Sequence, residues 1–351
     1  MGWSGLMSTP DRQVTDAAVG ALPGAVNPMA LSLNENPFAP LPSVRSALVA
    51  AIDSGNRYPE FLPERLRTLI AGHLGVRDEQ VVIGVGATGV IMQVLNAMTS
   101  PGDTMVMTSP TFDGYPIFAQ MARLESVTVG LDEHGHHDLD AMADAAATAR
   151  VVVVCRPHNP TGTVEPASDI ERFLQRIPTD TVVVLDEAYV EFLAPHHRID
   201  GPELVSRYPN VVVVRTFSKA YGLAGIRVGY GFCAPELGRK LWTMQQPFGI
   251  AITGLVAVAA SYDAESELQQ RIRMITAERR YLRMRLRAMG VYSTDAHANF
   301  VYLPPWGRQW RHVFADSGLH VRGYADGGVR ITVGNRQSTR AVVNAVRAAL
   351  H

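Results

Sequence analysis

The sequence predicts an α/β protein with a large, doubly wound and mostly parallel sheet, followed by a smaller C-terminal α+β domain. From about residue 80, short β-branched runs alternate with amphipathic stretches, which is the pattern of parallel strands joined by crossover helices. Beyond about residue 245, long helical sequence replaces this alternation. A chain of 351 residues also exceeds most single cores, so two domains are expected.

Six runs predict the strands of the large sheet. Each is short and nearly all apolar, as suits strands that are covered on both faces. The runs are QVVIGVG, TMVMTSP, ESVTVGL, RVVVVCRP, TVVVLDEA and NVVVVRTFS. Apolar spacing predicts helices between them, at residues 87–98, 115–123, 139–147 and 167–177.

The two ends of the chain complete the predicted organisation. The segment ALPGAVNPMALSLNENPFAPLP is rich in Pro and Asn, which predicts an extended N-terminal arm within residues 1–40. The large domain is then expected at residues 41–245 and the small domain at 246–351. In the small domain we expect a long helix at ELQQRIRMITAERRYLRMRLRAM, strands at NFVYLP, LHVRGY and GVRITV, a helix near residues 308–317, and a closing helix.

Charge and cysteine content bear on the partners and the compartment. The formal net charge is -1, with 32 basic and 33 acidic residues and no long run of either sign, unlike a nucleic-acid binder. Cys155 and Cys233 are far apart in apolar sequence, which favours buried, reduced thiols and a cytoplasmic protein. No segment predicts a signal peptide or a membrane span. We therefore expect a small-molecule partner, with no nucleic acid and no membrane.

Lysine is almost absent from the sequence, which draws attention to one position. Of the 32 basic residues only two, Lys219 and Lys240, are lysines. Lys219 lies in RTFSKAYGLAGIRVG, a glycine-containing turn directly after a predicted strand. Its amine suits an imine, because the pKa of a lysine falls when the side chain is held near positive charge and away from water. Lys240, in PELGRKLWTM, lies on the polar face of a predicted helix and is a poor candidate.

Two signals for phosphate binding accompany this lysine. The hydroxyls of Thr216 and Ser218 and the guanidinium of Arg227 suit a phosphate dianion. Upstream, GVGATG follows a strand and opens a helix, where backbone N–H groups and the helix dipole favour an anion. These backbone donors are Gly86, Ala87 and Thr88. The glycines also match a dinucleotide fingerprint, but the next strand ends without the acidic residue that would hold a ribose; a purely structural turn remains an alternative.

Polar side chains also follow neighbouring strands, at the sheet edge where doubly wound folds bind ligands. Asp186 lies where the strand in TVVVLDEA ends, and a carboxylate there is costly unless it is paired with a cation. A protonated pyridinium nitrogen would supply that cation, whereas a capping aspartate is the alternative. Tyr189 could reach a ring hydroxyl. Asn159, in CRPHNPTG, could donate to a ring oxygen or a substrate carboxylate, or belong to an ordinary turn.

Aromatic and basic residues complete the candidate site. Phe112, in SPTFDGY, could stack on an aromatic ring or belong to the core, and Tyr58, in NRYPE, lies on a loop upstream. Arg330 interrupts an apolar strand, and a buried arginine needs an anionic partner such as a substrate carboxylate. Arg322, in HVRGY, is a second candidate anion site or a surface charge. No metal is expected, because the segment EHGHHD has no matched ligands elsewhere.

Together these motifs resemble those of fold-type I pyridoxal-phosphate aminotransferases of class I/II, and most of all the histidinol-phosphate aminotransferase branch. In order they are LNENPFAP, NRYPE, GVGAT, SPTFDGY, PHNPTG, LDEAYVEF, TFSKAYGLAGIRVGY, NFVYLP and VRITVG, so the resemblance covers nearly all of the chain. It implies a pyridoxal 5'-phosphate cofactor and a homodimer. It also implies transfer of an amino group between an amino acid, or histidinol phosphate, and a 2-oxo acid.

The resemblance further implies a role for each candidate residue. Lys219 would carry the cofactor as an imine and shuttle a proton, and Asp186 would lie against the pyridinium nitrogen. Arg330 would hold the substrate carboxylate or phosphate, with Arg322 helping at the distal end. Tyr58 would reach the cofactor phosphate of the neighbouring subunit. The other implied cofactor contacts are Ala87, Thr88, Phe112, Asn159, Tyr189, Thr216, Ser218 and Arg227.

Three departures from this branch concern the substrate. The arm lacks the tyrosine that often binds the substrate phosphate, Gly323 replaces a common proline, and His158 replaces the usual asparagine. An aromatic or branched-chain amino acid is therefore the alternative to histidinol phosphate. The other hypotheses are a phosphoamino-acid decarboxylase of the same fold, a non-catalytic regulator with a transaminase-like domain, and a nicotinamide dehydrogenase.

Overall fold

The computed structural model describes residues 24–350; residues 1–23, which make up much of the predicted arm, and residue 351 lie outside the described part. A short strand, β1 (Ala30–Leu31), comes first and belongs to the smaller of two sheets. The larger sheet has seven strands: β2 (Val81–Gly84), β3 (Thr104–Ser109), β4 (Glu125–Gly130), β5 (Val151–Cys155), β6 (Val182–Asp186), β7 (Val211–Thr216) and β8 (Gly229–Cys233). Their order in the sheet is β2-β8-β7-β6-β5-β3-β4.

Most of the large sheet is parallel, as predicted, but one strand was missed. The strands from β4 across to β7 pair in parallel, whereas β8 runs antiparallel to both β7 and β2. The sequence GYGFC of β8 is rich in glycine, which is depleted in strands. A Cβ on Gly231 would lie 2.8 Å from Cγ1 of Val90, and a Cβ on Gly229 would collide with the backbone at residues 86–87. Glycine therefore lets the helix that contains Val90 pack directly on β8.

Helices connect these strands and flank the sheet. The four helices predicted from apolar spacing are present and agree with the structure to within two residues at each end. The helices of the first two thirds of the chain are α1 (Pro42–Ala51), α2 (Glu64–Leu74), α3 (Gly86–Met98), α4 (Gly114–Met121), α5 (Leu139–Ala146), α6 (Ala167–Arg176), α7 (Gly201–Arg207) and α8 (Pro235–Trp242). Short 3-10 turns occur at Ile52–Asn56, Asp78–Gln80, Val190–Phe192 and Pro195–His197.

Six strands of the large sheet are mostly buried on both faces, whereas the edge strand β4 is mostly exposed, unlike the covered strand predicted from ESVTVGL. In β5, Val152 and Val154 enter one buried apolar cluster, while Val151 and Val153 enter another. Because successive side chains of a strand point to opposite faces, this alternation shows a core on each side of the sheet. The apolar runs in the sequence are nearly continuous because a strand with a core on each side buries nearly all of its side chains.

The C-terminal part builds the smaller sheet together with the arm. It contains α9 (Ile252–Asp263), α10 (Glu265–Ala288), β9 (Phe300–Leu303), α11 (Trp310–Ala315), β10 (His320–Gly323), β11 (Val329–Thr332) and α12 (Arg336–Ala348). The sheet order is β1-β10-β11-β9, and β1 pairs in parallel with β10. The arm is thus a structural part of this sheet, whereas the sequence predicted only an extended segment. The proposed limits of the two domains, 41–245 and 246–351, stay predictions.

Two features of this architecture bear on function. The parallel strands β5, β6 and β7 end close together, since Cys155 is in register with Asp186 and Asp186 with Val214. The chain segments that follow these strands therefore meet at one edge of the sheet. In residues 24–350, none of the helices has the length and apolar character required to cross a bilayer.

Candidate active site

A cavity of about 290 Å³ lies at this edge, between the large sheet, the arm and the small sheet. Twelve of the fourteen residues singled out from the sequence line it. They are Ala87, Thr88, Phe112, Asn159, Asp186, Tyr189, Thr216, Ser218, Lys219, Arg227, Arg322 and Arg330. Gly86 adjoins the cavity through its contact with Arg227, whereas Tyr58 lies elsewhere on the surface.

Lys219 lies in the turn after β7, with its amine inside the cavity. Its Nζ donates to the carbonyl oxygen of Leu33, at 3.1 Å, so the arm contacts the amine directly. Burial, and then the nearby positive charge of Arg330, lowers the pKa of Lys219 to about 8. An appreciable fraction of the amine is thus neutral near neutral pH, as a nucleophile or a base requires. Lys240 is exposed on α8, so Lys219 is the one lysine that the structure places in the cavity.

Asp186 lies at the end of β6 and is almost completely buried, with 5% of its surface exposed. Its Oδ2 accepts a hydrogen bond from the hydroxyl of Tyr115, at 2.6 Å, and its Oδ1 accepts one from the N–H of Ala188, at 3.0 Å. Burial raises the pKa of Asp186, and these two donors oppose that rise. A carboxylate in such surroundings is stabilised further by a cation, and a protonated pyridinium nitrogen is a suitable one.

The phosphate-binding residues predicted from the sequence lie together where β7 meets α3. The hydroxyl of Thr216 donates to that of Ser218 at 2.9 Å, and Nη1 of Arg227 lies 3.3 Å from the same Ser218 oxygen. Gly86 has φ +74, and a Cβ there would collide with the guanidinium of Arg227. Glycine thus permits the guanidinium to cross the N-terminus of α3. Hydroxyls, a guanidinium and free N–H groups at a helix start are the donor set that a phosphate needs.

Arg330 and Asn159 form another part of the cavity lining. Arg330, in β11, is 5% exposed, and its Nη1 donates to Oδ1 of Asn159 at 2.5 Å. This bond uses the amide oxygen of Asn159 and leaves its NH₂ group as the donor, as its predicted role requires. The Nε of Arg330 is buried without a hydrogen-bond partner. A guanidinium with a spare buried donor suits a carboxylate ligand.

Several residues of the site were missed by sequence reasoning. Tyr115 holds Asp186, and Nδ2 of Asn34 donates to the hydroxyl of Tyr189 at 2.9 Å. The carbonyl oxygens of Ser32 and Leu33 accept from Arg330 and Lys219. Tyr115 belongs to the motif SPTFDGY and Asn34 to LNENPFAP, but neither sequence motif shows the direction in which these side chains point. These contacts arise from tertiary packing.

The remaining aromatic candidates differ in position. Phe112 lines the cavity, with its ring edge-to-face with that of Tyr115 at 5.3 Å between centroids. Tyr58 is 84% exposed and lies outside the cavity. Its ring is 5.0 Å from that of Phe248, which in turn is 5.1 Å from Phe61. Tyr58, Phe61 and Phe248 thus form an exposed aromatic cluster. The stacking of Phe112 on a cofactor ring stays a prediction.

The histidine-rich segment EHGHHD does not line the cavity; Glu133 and His134 are exposed, and His137 is buried. Nδ1 of His137 lies 2.9 Å from a carboxylate oxygen of Glu165, and Nδ1 of His136 lies 3.5 Å from the same oxygen. Over the described part of the chain, no set of three His, Cys, Asp or Glu side chains has the arrangement of a metal site. His137 and Glu165 therefore form a buried contact, with the partly exposed His136 beside it, near the turn that carries Asn159.

Comparisons with known proteins agree with this geometry. The family model for aminotransferase class I and II matches residues 26–346. An aromatic amino acid aminotransferase of Cutibacterium acnes is 40% identical over 320 residues, which is 90% of this chain and 91% of the relative. A protein of the same name from Streptomyces coelicolor is 41% identical over 311 residues, or 88% and 87% of the two chains.

A solved structure also matches over almost the whole chain. It is a histidinol-phosphate aminotransferase of Sinorhizobium meliloti in complex with pyridoxal-5'-phosphate, with a TM-score of 0.85 and 26% identity, covering 98% of this chain and 99% of the other. The predicted fold, enzyme class and cofactor are thereby confirmed. The chain belongs to the class I and II aminotransferases, and it is a pyridoxal 5'-phosphate-dependent transaminase of fold type I.

Proposed function

We propose that this enzyme transfers the amino group between an aromatic amino acid and a 2-oxo acid. The observation that carries the proposal is the set of relatives about 40% identical over nearly the whole chain, which are named aromatic amino acid aminotransferases. Histidinol phosphate, the leading substrate expected from the sequence, has weaker support, since the solved structure named above that bears this name is only 26% identical. The arm also lacks the tyrosine that often binds the substrate phosphate in histidinol-phosphate aminotransferases, which agrees with an unphosphorylated substrate.

The composition of the cavity supports an aromatic substrate. Leu33, Ile91 and Ala188 give part of its lining an apolar character, which a phenyl or indole group requires. Burial of apolar surface contributes roughly 25 cal/mol per Å² to the free energy of binding. An aromatic side chain, with its larger apolar surface, therefore gains several times as much binding free energy as a methyl group. The polar groups of the lining would then serve mainly the cofactor and the α-carboxylate.

Each polar residue has a task in the proposed reaction. When bound, pyridoxal 5'-phosphate supplies a ring that withdraws electrons from the substrate α-carbon. Asp186 keeps positive charge on the ring nitrogen, and Asn159 and Tyr189 donate to the ring oxygen. Arg330 binds the α-carboxylate and fixes the orientation of the Cα–H bond. The amine of Lys219 would remove the proton from Cα of the substrate and, as its conjugate acid, return that proton to C4′ of the cofactor on the same face.

A donor panel tests the substrate proposal without knowledge of the acceptor. The holoenzyme is mixed with one donor at a time, and the loss of the visible cofactor band is followed in a stopped-flow instrument. Phenylalanine, tyrosine and tryptophan are expected to exceed histidinol phosphate in the second-order rate constant by about tenfold or more. Preference for histidinol phosphate or for leucine and isoleucine would contradict the proposal. Lys219→Ala holoenzyme, which lacks the base, is the blank.

We further propose that the enzyme works as a homodimer in which Tyr58 completes the neighbouring site. The exposed aromatic cluster supports this: Tyr58 is 84%, Phe61 60% and Phe248 45% exposed, and adjacent aromatic rings on a surface are typical of an interface. Tyr58 is also outside the cavity of its own chain. A subunit contact is therefore the way in which its hydroxyl would reach a cofactor phosphate.

Hybrid dimers test this arrangement. Tyr58→Ala and Lys219→Ala subunits, each inactive or weakly active alone, are co-expressed at limiting cofactor. In a mixed dimer, one site has its own Lys219 and receives Tyr58 from the partner, so random pairing should restore about a quarter of the wild-type activity. Tyr58→Ala co-expressed with a subunit that carries both substitutions is the matched control. Equal activity in the two mixtures would show that Tyr58 acts only within its own chain, or not at all.

A further inference from the structure

An ion pair lies at the mouth of the cavity, and no step of the proposed reaction uses it. Nη2 of Arg322 is 2.8 Å from Oδ2 of Asp113, and the two side chains are 46% and 49% exposed. Both residues line the cavity, Arg322 from β10 and Asp113 from the turn that follows β3. Asp113 directly follows Phe112, so the pair is close to the predicted ring-stacking position.

The side chain of Asp113 is directed away from its usual local partner. Asp113 occupies the position just before α4, where an aspartate normally accepts hydrogen bonds from the first N–H groups of the helix. Here its backbone is helical (φ -56, ψ -18), it makes no such bond, and its carboxylate pairs with Arg322 of the small sheet at the cavity mouth. The ion pair with Arg322 is therefore the interaction that fixes this side chain.

Arg322 lies next to a second arginine. In the pairing of β10 with β11, Arg322 is directly opposite Arg330, and both side chains line the cavity. Like charges directly opposite in a sheet repel each other. Without Asp113, the cavity would present two guanidinium groups, one for the α-carboxylate and one for a second anion. With Asp113, the distal arginine is neutralised.

We propose that Asp113 determines substrate specificity by competing with anionic substrate side chains for Arg322. This inference rests on the proposed aromatic amino acid function, and it explains how a cavity with two arginines favours uncharged side chains. A donor with a phosphate or carboxylate in its side chain must displace Asp113 and leave it next to the incoming anion. An aromatic side chain leaves the ion pair intact. Because the pair is half exposed, its strength is modest and the discrimination is graded.

Asp113→Asn is the informative variant. Asparagine is as good as aspartate before a helix, so α4 is not disturbed, but the negative charge is lost. The kcat/KM for histidinol phosphate or glutamate relative to phenylalanine is expected to rise about tenfold, mainly through a lower KM for the anionic donor. The kcat for phenylalanine should change little. Asp113→Glu, which keeps the charge, should restore much of the wild-type ratio.

A double-mutant cycle separates competition for Arg322 from a structural effect. In an Arg322→Gln background, Asp113→Asn should change the ratio of the two donors much less, because the contested guanidinium is gone and only direct repulsion by Asp113 remains. An unchanged ratio in the single variant, or an equal change in both backgrounds, overturns the proposal. The measured quantity is the kcat/KM for the anionic donor divided by the kcat/KM for phenylalanine, and the test depends on how each substitution changes it. If the wild-type enzyme prefers histidinol phosphate, the substrate proposal fails, while the test of Asp113 still gives a result.

Discussion

Lys219→Arg should lower kcat for amino transfer on the order of 10⁴-fold, because arginine keeps the positive charge but cannot act as the base. The structure allows no substitute for this amine, since Lys240 is exposed on α8 and lines no part of the cavity. The measurement is single-turnover conversion of the donor by the holoenzyme. Lys240→Arg is the matched control, because it makes the same chemical change outside the site, and it should retain wild-type activity.

A covalent label gives an independent readout of the same residue. Borohydride reduction of the holoenzyme should fix the cofactor to one lysine, and the two lysines of the sequence lie in different tryptic peptides. Mass mapping should place the label on the peptide that contains Lys219. A label on Lys240, or full activity of Lys219→Arg, would remove the basis for the proposed mechanism.

Asp186→Asn should lower kcat by about 10³-fold, because the buried carboxylate that we propose to hold positive charge on the ring nitrogen is replaced by a neutral amide. The side chain is 5% exposed and supported by Tyr115 and Ala188, so the loss concerns charge rather than position. The visible spectrum of the holoenzyme and kcat for phenylalanine are the two measurements. Activity within tenfold of the wild type would show that the carboxylate is not needed.

Tyr115→Phe provides a graded comparison at the same place. Its hydroxyl donates to Asp186 and opposes the rise that burial causes in the pKa of this carboxyl group. Without that donor the pKa of Asp186 rises further, and the carboxylate is protonated at higher pH. The acidic limb of kcat against pH should therefore move to higher pH, with a smaller loss of activity at the optimum than in Asp186→Asn. An unmoved acidic limb would contradict this role for Tyr115.

The ends of the strands could be predicted because local sequence determines them. Lys219, Asp186 and Asn159 each follow an apolar run that is too short for a helix, and parallel strands end at one edge of a sheet. Thr216, Ser218 and Arg227 could be assigned together because they accompany Lys219 in a single motif. For these residues, position in the sequence was enough to predict position in the cavity.

Other parts of the site depend on information that the local sequence lacks. Strand β8 was missed because its glycines are selected by the close approach of α3 and weaken the strand pattern. Strand β1 has two residues, too few for any alternation to appear. Asp113 was missed because an aspartate before a helix predicts a cap, while its true partner, Arg322, lies in another sheet.

The arm also has a consequence for the order in which the enzyme is completed. Asn34 donates its N–H to the hydroxyl of Thr332, and Ser32 accepts from Arg330, in both cases across 298 positions of the chain. Contacts of such separation form late, because a long loop must close before they contribute. During synthesis from the N-terminus, residues 32–34 emerge first but have no partners until β11 has left the ribosome. The contacts of the arm with Arg330 and Thr332, which close one part of the cavity, are thus completed only when the chain is nearly finished.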